Sequence, residues 1–117
     1  MKQIVLIVDD HTALRVGLSR LLERAGHDAS MAGSVKEGLE MLAAGTPSRM
    51  LLDMNLPDGT GTAVLRHIRD HRLPVKVAVL SATTDPSILS EARALAPDAM
   101  FTKPAEWEKV LEWIAAE

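Results

Sequence analysis

Continuous apolar runs alternate along this chain with stretches in which apolar residues recur every third or fourth position, a pattern that predicts strands and helices in alternation. Ile4 to Val8 is apolar without interruption, as expected of a strand buried on both faces. Leu14, Leu18, Leu21, Leu22 and Ala25 follow at helical spacing, and Gly26 stands where a left-handed cap ends a helix. Asp28 to Ala32 is a weaker second strand. Ser34-Val-Lys-Glu37 has the form of a capping box, in which serine hydroxyl and glutamate carboxylate satisfy free amides at a helix start. Val35, Leu39 and Leu42 supply that helix with one apolar face, and Gly45, Thr46 and Pro47 end it. Arg49 to Asp53 predicts a third strand, Met54 to Gly61 a turn rich in Pro, Asp and Gly, and Ala63, Val64 and Ile68 the next helix. Val75 to Ser81 is the fourth strand. Asp85 and Pro86 cap and open a helix carrying Ile88, Ala92 and Leu95. Ala99 to Thr102 is a short fifth strand, and Trp107, Val110, Leu111 and Ile114 line one stripe of the last helix.

Five strands alternating with five helices imply an α/β fold, a parallel sheet covered on both sides. The local pattern does not choose among strand orders. A chain of 117 residues suits one domain, 1–117, and no internal repeat or low-complexity linker divides it. Hydrophobic residues make up 47% and charged residues 25%, both near the globular average, so the composition does not suggest disorder. A net charge of −3 argues against nucleic acid or an anionic membrane as direct partner, since either requires clustered Lys and Arg. The absence of cysteine excludes disulfides, thiolate catalysis and Cys-ligated zinc, and agrees with a cytoplasmic location. The amino-terminal apolar run is too short for a signal peptide or membrane span.

The chemistry-bearing residues recur at one place in the pattern. Asp9 and Asp10 follow the first strand, Asp53 closes the third, Ser81 the fourth, and Thr102 with Lys103 the fifth. In an open parallel sheet these carboxyl ends lie together, at the crevice where such folds bind ligands. Taken singly, each residue has a plainer role: Asp10 as a helix N-cap, Ser81 in a turn, Lys103 as a solvated loop lysine. Two adjacent acids exceed what one cap needs, however, and their repulsion is relieved by a cation. Hard oxygen donors without cysteine favour Mg²⁺. Asp53 is separated from the next helix by Pro57, Asp58, Gly59 and Gly61, which leaves it free as a nucleophile toward a phosphoryl group. Lysine and hydroxyl would neutralise the remaining oxygen charge.

With VDD at Val8–Asp10, LLDMNLPDGTG at Leu51–Gly61, LSA at Leu80–Ala82 and TKP at Thr102–Pro104, the chain resembles a bacterial response-regulator receiver domain from Lys2 to its last helix. The resemblance implies a doubly wound, flavodoxin-like sheet of order 2-1-3-4-5 with five helices. It implies that Asp53 accepts a phosphoryl group from a histidine kinase or phosphotransfer protein. Asp10, Asp53 and the backbone carbonyl of Asn55 would ligate Mg²⁺, with Asp9 assisting through water. Lys103 would pair with the phosphoryl oxygens, Ser81 would be the switch hydroxyl, and a cis peptide would join Lys103 to Pro104. The domain would be no enzyme beyond its own phosphorylation and dephosphorylation. Its fourth helix, fifth strand and fifth helix would bind a downstream effector protein or a covalently linked output domain, of which this chain has none.

Two positions depart from that family's pattern. Met100 occupies the place of an aromatic three residues before the lysine, and Phe101 points to the opposite sheet face by strand alternation. Ala96 followed by Pro97 replaces the glycine usual after the fourth helix. Trp113 lies about 110° from the centre of the last helix's apolar stripe at about 100° per residue. It is a candidate anchor for a homodimer or an effector, unless its ring folds over a neighbouring element. His11, His27, His67 and His71 show no metal-ligand spacing, and His11 reads as a surface residue at a helix start.

Asn55 stands where an aspartate-nucleophile phosphohydrolase carries a second acid, and no GxxxxGK[ST] motif is present for nucleotide binding. The remaining rival is a non-phosphorylated pseudo-receiver acting as a protein-interaction module.

Overall fold

The computed structural model describes residues 2–116. In chain order its elements are β1 (Ile4–Val8), α1 (Thr12–Arg24), β2 (Asp28–Ala32), α2 (Val35–Ala44), β3 (Arg49–Leu52), β4 (Asn55–Leu56), β5 (Gly59–Thr60), α3 (Thr62–Asp70), β6 (Lys76–Ser81), α4 (Pro86–Ala94), β7 (Ala99–Thr102) and α5 (Trp107–Ala115). Five strands form one parallel sheet in the order β2-β1-β3-β6-β7, which is the 2-1-3-4-5 order implied by the resemblance once the small β4–β5 hairpin is set apart.

Strand alternation divides the core in two. Leu6, Val8, Met50, Leu52, Val77 and Val79 face α2, α3 and α4, where Leu42, Val64, Leu65, Ile68 and Ala92 close over them. Val5, Ile7, Leu51, Ala78 and Leu80 face α1 and α5 and meet Leu18, Leu22, Val110 and Ile114. Each fully buried aliphatic side chain contributes about 1.5–3 kcal/mol, so the two layers together fix the sheet between its helices.

The ends of the elements follow the residues that mark them. Gly26, at φ +91°, ends α1: its N–H donates to Glu23, and the His27 N–H donates to Leu22. Ser34 Oγ accepts from the Glu37 N–H at 3.1 Å, as the capping box predicts. The amides of Val35 and Lys36, however, donate to the Asp58 carboxylate at 2.8 and 3.0 Å, so the start of α2 is capped largely from a distant loop. Asp85 accepts from the Ser87 N–H at 2.9 Å with Pro86 in the first turn of α4.

Three boundaries differ from the sequence reading. The strand predicted to run to Asp53 stops at Leu52, the one predicted from Val75 begins at Lys76, and the turn from Met54 to Gly61 contains the antiparallel β4–β5 pair. Gly59, at φ +152°, permits that hairpin. Gly61 is required for a different reason: a Cβ there would overlap the Asp53 carbonyl and lie 2.8 Å from the Met54 Cε. The end of α4 carries Ala96 at φ +50°, a left-handed conformation ordinarily left to glycine. Arg69 of α3 covers this turn, donating to the carbonyls of Leu95 (3.0 Å) and Ala96 (2.9 Å) and pairing with Asp98 at 3.5 Å.

Candidate functional site

The site is built by continuing the sheet one residue beyond its strands. Val8 pairs with Leu52 in the β1–β3 register, and the Asp53 N–H still donates to the Val8 carbonyl at 2.9 Å. The Asp9 N–H likewise donates to Ala32 at 3.0 Å, and the Lys103 N–H to Ser81 at 3.0 Å. Asp9, Asp53 and Lys103 thus leave the sheet at fixed positions on its carboxyl edge. The peptide between Lys103 and Pro104 is cis.

Lys103 reaches across this edge, placing Nζ 2.5 Å from Asp9 Oδ2 and 3.3 Å from Asp53 Oδ2. Asp9 and Asp53 are almost fully buried, whereas the Asp10 side chain is open to solvent. Asp53 Oδ1 accepts from the Asn55 N–H at 3.2 Å. Ligand atoms from Asp9, Asp10, His11 and Asp53 all lie within 4.8 Å of one another. Such a cluster of carboxylates fits a hard divalent cation.

Charge balance explains why so many buried acids are tolerated. Burial works to raise the Asp9 pKa, but hydrogen bonds from Lys103 and from the His11 backbone and ring, with the Lys103 charge, together hold it below the ordinary carboxylate value. Burial works to lower the Lys103 pKa. The Asp9 hydrogen bond, the charges of Asp53 and Asp9 and the Asp53 hydrogen bond outweigh it and raise the pKa above that of an ordinary lysine.

The remaining sequence candidates occupy varied settings. Asp10 is not consumed as a cap, because the N-cap residue of α1 is His11 and no side chain caps that helix. Ser81 is buried at the end of β6, its hydroxyl accepting from the Thr83 N–H at 3.2 Å. Asn55 lies in β4, where its amide is the group that meets Asp53. Met100 is 37% exposed, while Phe101 packs toward α1 and α5 on the other sheet face, as alternation predicts. For Trp113 the structure has the packed arrangement rather than an exposed anchor. Its ring joins the layer beneath α5 and lies 5.8 Å from the Arg49 guanidinium carbon, while Arg49 also donates to the Ala116 carbonyl at the end of α5.

His11 sits, as the sequence suggests, at the surface of a helix start. Its ring is solvent-exposed, yet Nδ1 lies 2.9 Å from Asp9 Oδ1 and 3.4 Å from Asp10 Oδ1, inside the acidic cluster. Spacing rules overlook it because its partners are its immediate neighbours; adjacency to the acid pair was the available signal. His67 and His71 stack on each other at the end of α3, with ring centroids 4.1 Å apart. Asp58, Gly61 and Arg69 also support the site's surroundings, and only Asp58 and Gly61 lay within a recognised motif.

The sequence matches the family model of the response regulator receiver domain over residues 5–115. The chain therefore belongs to the response-regulator receiver family, a signalling domain of two-component systems. Similar proteins include the acid tolerance regulatory protein ActR of Rhizobium meliloti, 32% identical over 92% of this chain and 55% of that protein. The sensory/regulatory protein RpfC of Xanthomonas campestris is 29% identical over 95% of this chain but only 16% of its own length. The chain thus spans about half of one relative and a sixth of the other. Sporulation initiation phosphotransferase F of Bacillus subtilis is 24% identical over 94% of this chain and 89% of that protein. Among solved structures, a response regulator receiver protein from Pseudomonas putida aligns with a TM-score of 0.91 at 27% identity, covering 100% of this chain and 98% of that one. A CheY-like receiver from Methanospirillum hungatei has the same TM-score and identity, over 97% of this chain and 91% of that one. Among the described residues, no helix is long and apolar enough to cross a membrane.

Proposed function

We propose that Asp53 accepts a phosphoryl group from the phosphohistidine of a histidine kinase or phosphotransfer protein. The observation that carries this reading is the pairing of a buried Asp53 carboxylate with the Lys103 ammonium at 3.3 Å, beside the Asp9–Asp10 pair. One Asp53 oxygen forms the new P–O bond as the P–N bond to the donor imidazole breaks, and the electron pair returns to that ring. Lys103 is positioned to follow the phosphoryl oxygens, since its ammonium already contacts the Asp53 carboxylate. Asp9, Asp10, Asp53 and the Asn55 carbonyl would hold Mg²⁺, which when bound neutralises phosphoryl oxygen charge.

The acyl phosphate carries about −1.5 to −2 where the carboxylate carried −1. That charge would draw Ser81 and Lys103 inward and shift the packing of the α4–β7–α5 face, where Met100 is exposed. An effector protein, a linked output domain or a second copy of the chain would read that face. The same reading implies a cytoplasmic site of action and a domain that turns over only its own phosphoryl group.

Incubation with acetyl phosphate and Mg²⁺, followed by intact mass measurement, tests the reading. Wild type should gain the mass of one phosphoryl group and Asp53→Ala none. An unmodified wild type under these conditions would leave the pseudo-receiver as the better description.

A further inference from the structure

We propose that the His11 imidazole is a nitrogen ligand of the acidic pocket, giving it a preference for first-row transition dications over Mg²⁺. The inference rests on the metal-binding reading above and adds a ligand to it. Two neighbouring ligands of an octahedral ion at about 2.1 Å lie about 3.0 Å apart. His11 Nδ1 is hydrogen-bonded to Asp9 Oδ1 at 2.9 Å and lies 3.4 Å from Asp10 Oδ1, near that spacing for both, so an ion entering between them would take the place of the Nδ1 proton. The Lys103 ammonium lies against the Oδ2 atoms of Asp9 and Asp53, so the side of Asp9 that faces His11 and Asp10 is the side without an ammonium.

The backbone also holds the ring in place. His11 has extended dihedral angles at the N-cap, its N–H donates to Asp9 Oδ1 at 2.9 Å, and its carbonyl accepts from the Arg15 N–H at 3.0 Å. The imidazole is therefore turned back over the carboxylates by the start of α1, although 68% of its side chain is exposed. Carboxylates and carbonyls alone suit Mg²⁺, whereas an imidazole in the set favours iron, nickel, copper or zinc. The exposed position also means that replacing the ring leaves the buried layers intact.

Pulsed EPR of bound Mn²⁺ tests this on the untagged chain, with His67→Gln and His71→Gln introduced throughout to remove the stacked pair as a competing site. The chain retaining His11 should show ¹⁴N coupling to Mn²⁺, and His11→Gln should lose it. In calorimetric titrations with Zn²⁺ and with Mg²⁺, His11→Gln should lose about tenfold or more in Zn²⁺ affinity and change little toward Mg²⁺. Mn²⁺ bound without nitrogen coupling, or coupling that survives in His11→Gln, would overturn the role of His11 and leave the pocket standing. Failure to bind any of the three ions would overturn both the inference and the metal-binding reading.

Discussion

The ammonium of Lys103 lies 2.5 Å from the carboxylate of Asp9, a partner 94 positions away in the chain. This contact is shorter than the 3.3 Å from Lys103 to Asp53, so in the structure the lysine is held chiefly by the acid at the end of β1. The ammonium thus occupies part of the charge that a divalent cation would seek, and it is already within reach of the proposed phosphoacceptor.

Replacing Lys103 with Met leaves two buried acids facing each other. In EDTA, the variant should be less stable by about 3 kcal/mol, as when one partner of a buried pair is lost. Its affinity for Mg²⁺ should rise by about tenfold or more, because a competing positive charge is gone. Urea unfolding and calorimetry measure the two effects, and added Mg²⁺ should narrow the stability deficit. A fall in Mg²⁺ affinity would mean that Lys103 orients the carboxylates more than it competes for them.

The same pair sets a pH window. Asp9 titrates below its ordinary value of 3.8, so its contribution to stability is present above 3.8 and is lost as pH falls through the depressed folded value. Lys103 titrates above its ordinary 10.5, so its contribution is present below 10.5 and is lost as pH rises through the elevated folded value. The stability difference between wild type and Lys103→Met should therefore shrink as pH rises through the elevated Lys103 value, and shrink also as pH falls, beginning at a higher pH than the loss in wild type, because Asp9 without the ammonium takes up its proton more readily. Urea midpoints of both proteins across pH, in metal-free buffer, provide the measurement.

Gly61→Ala should be among the most damaging single substitutions in the chain. The added Cβ meets the backbone of Asp53 as well as the end of the Met54 side chain; the side chain can yield, but relief of the backbone clash requires moving the peptide that carries the proposed phosphoacceptor. A loss of about 3 kcal/mol or more is expected, with slower phosphorylation by acetyl phosphate in whatever fraction remains folded. Thermal unfolding and intact mass over time separate the two consequences.

At the end of α4, Ala96→Gly should stabilise the fold by about 0.5–1 kcal/mol, since relief of the left-handed strain exceeds the added freedom of the unfolded chain. Arg69→Met should destabilise it by about 1–2 kcal/mol by leaving the Leu95 and Ala96 carbonyls without their donor. The double variant should show non-additivity, because Arg69 and residue 96 share one turn. Denaturant unfolding of the four proteins completes the cycle.

Much of this architecture was legible in the sequence because strand alternation and strand ends obey local rules. The run from Ile4 to Val8 announced a central strand, and the acids after it announced the carboxyl edge. Contacts that depend on distant residues meeting were not legible. Nothing near Val35 or Lys36 indicates that Asp58 will take their amides, and nothing near Ala96 indicates that Arg69 will cover it. Trp113 shows the same limit: helical periodicity gave its angle, while the burial of Arg49 beneath it depends on which strand α5 crosses. The surface position of His11 at a helix start was legible, but its contacts with Asp9 and Asp10 were not, since those partners are too close in sequence for any spacing rule to register them.

Asp58 joins the tip of the β4–β5 hairpin to the first turn of α2, so the peptide group of Asn55 rests on a strut instead of a free arm. The helix so braced packs on β2, at the margin of the sheet opposite β7. Under the proposed reading, a cation drawing on that carbonyl would load this margin as well as the one that carries Met100.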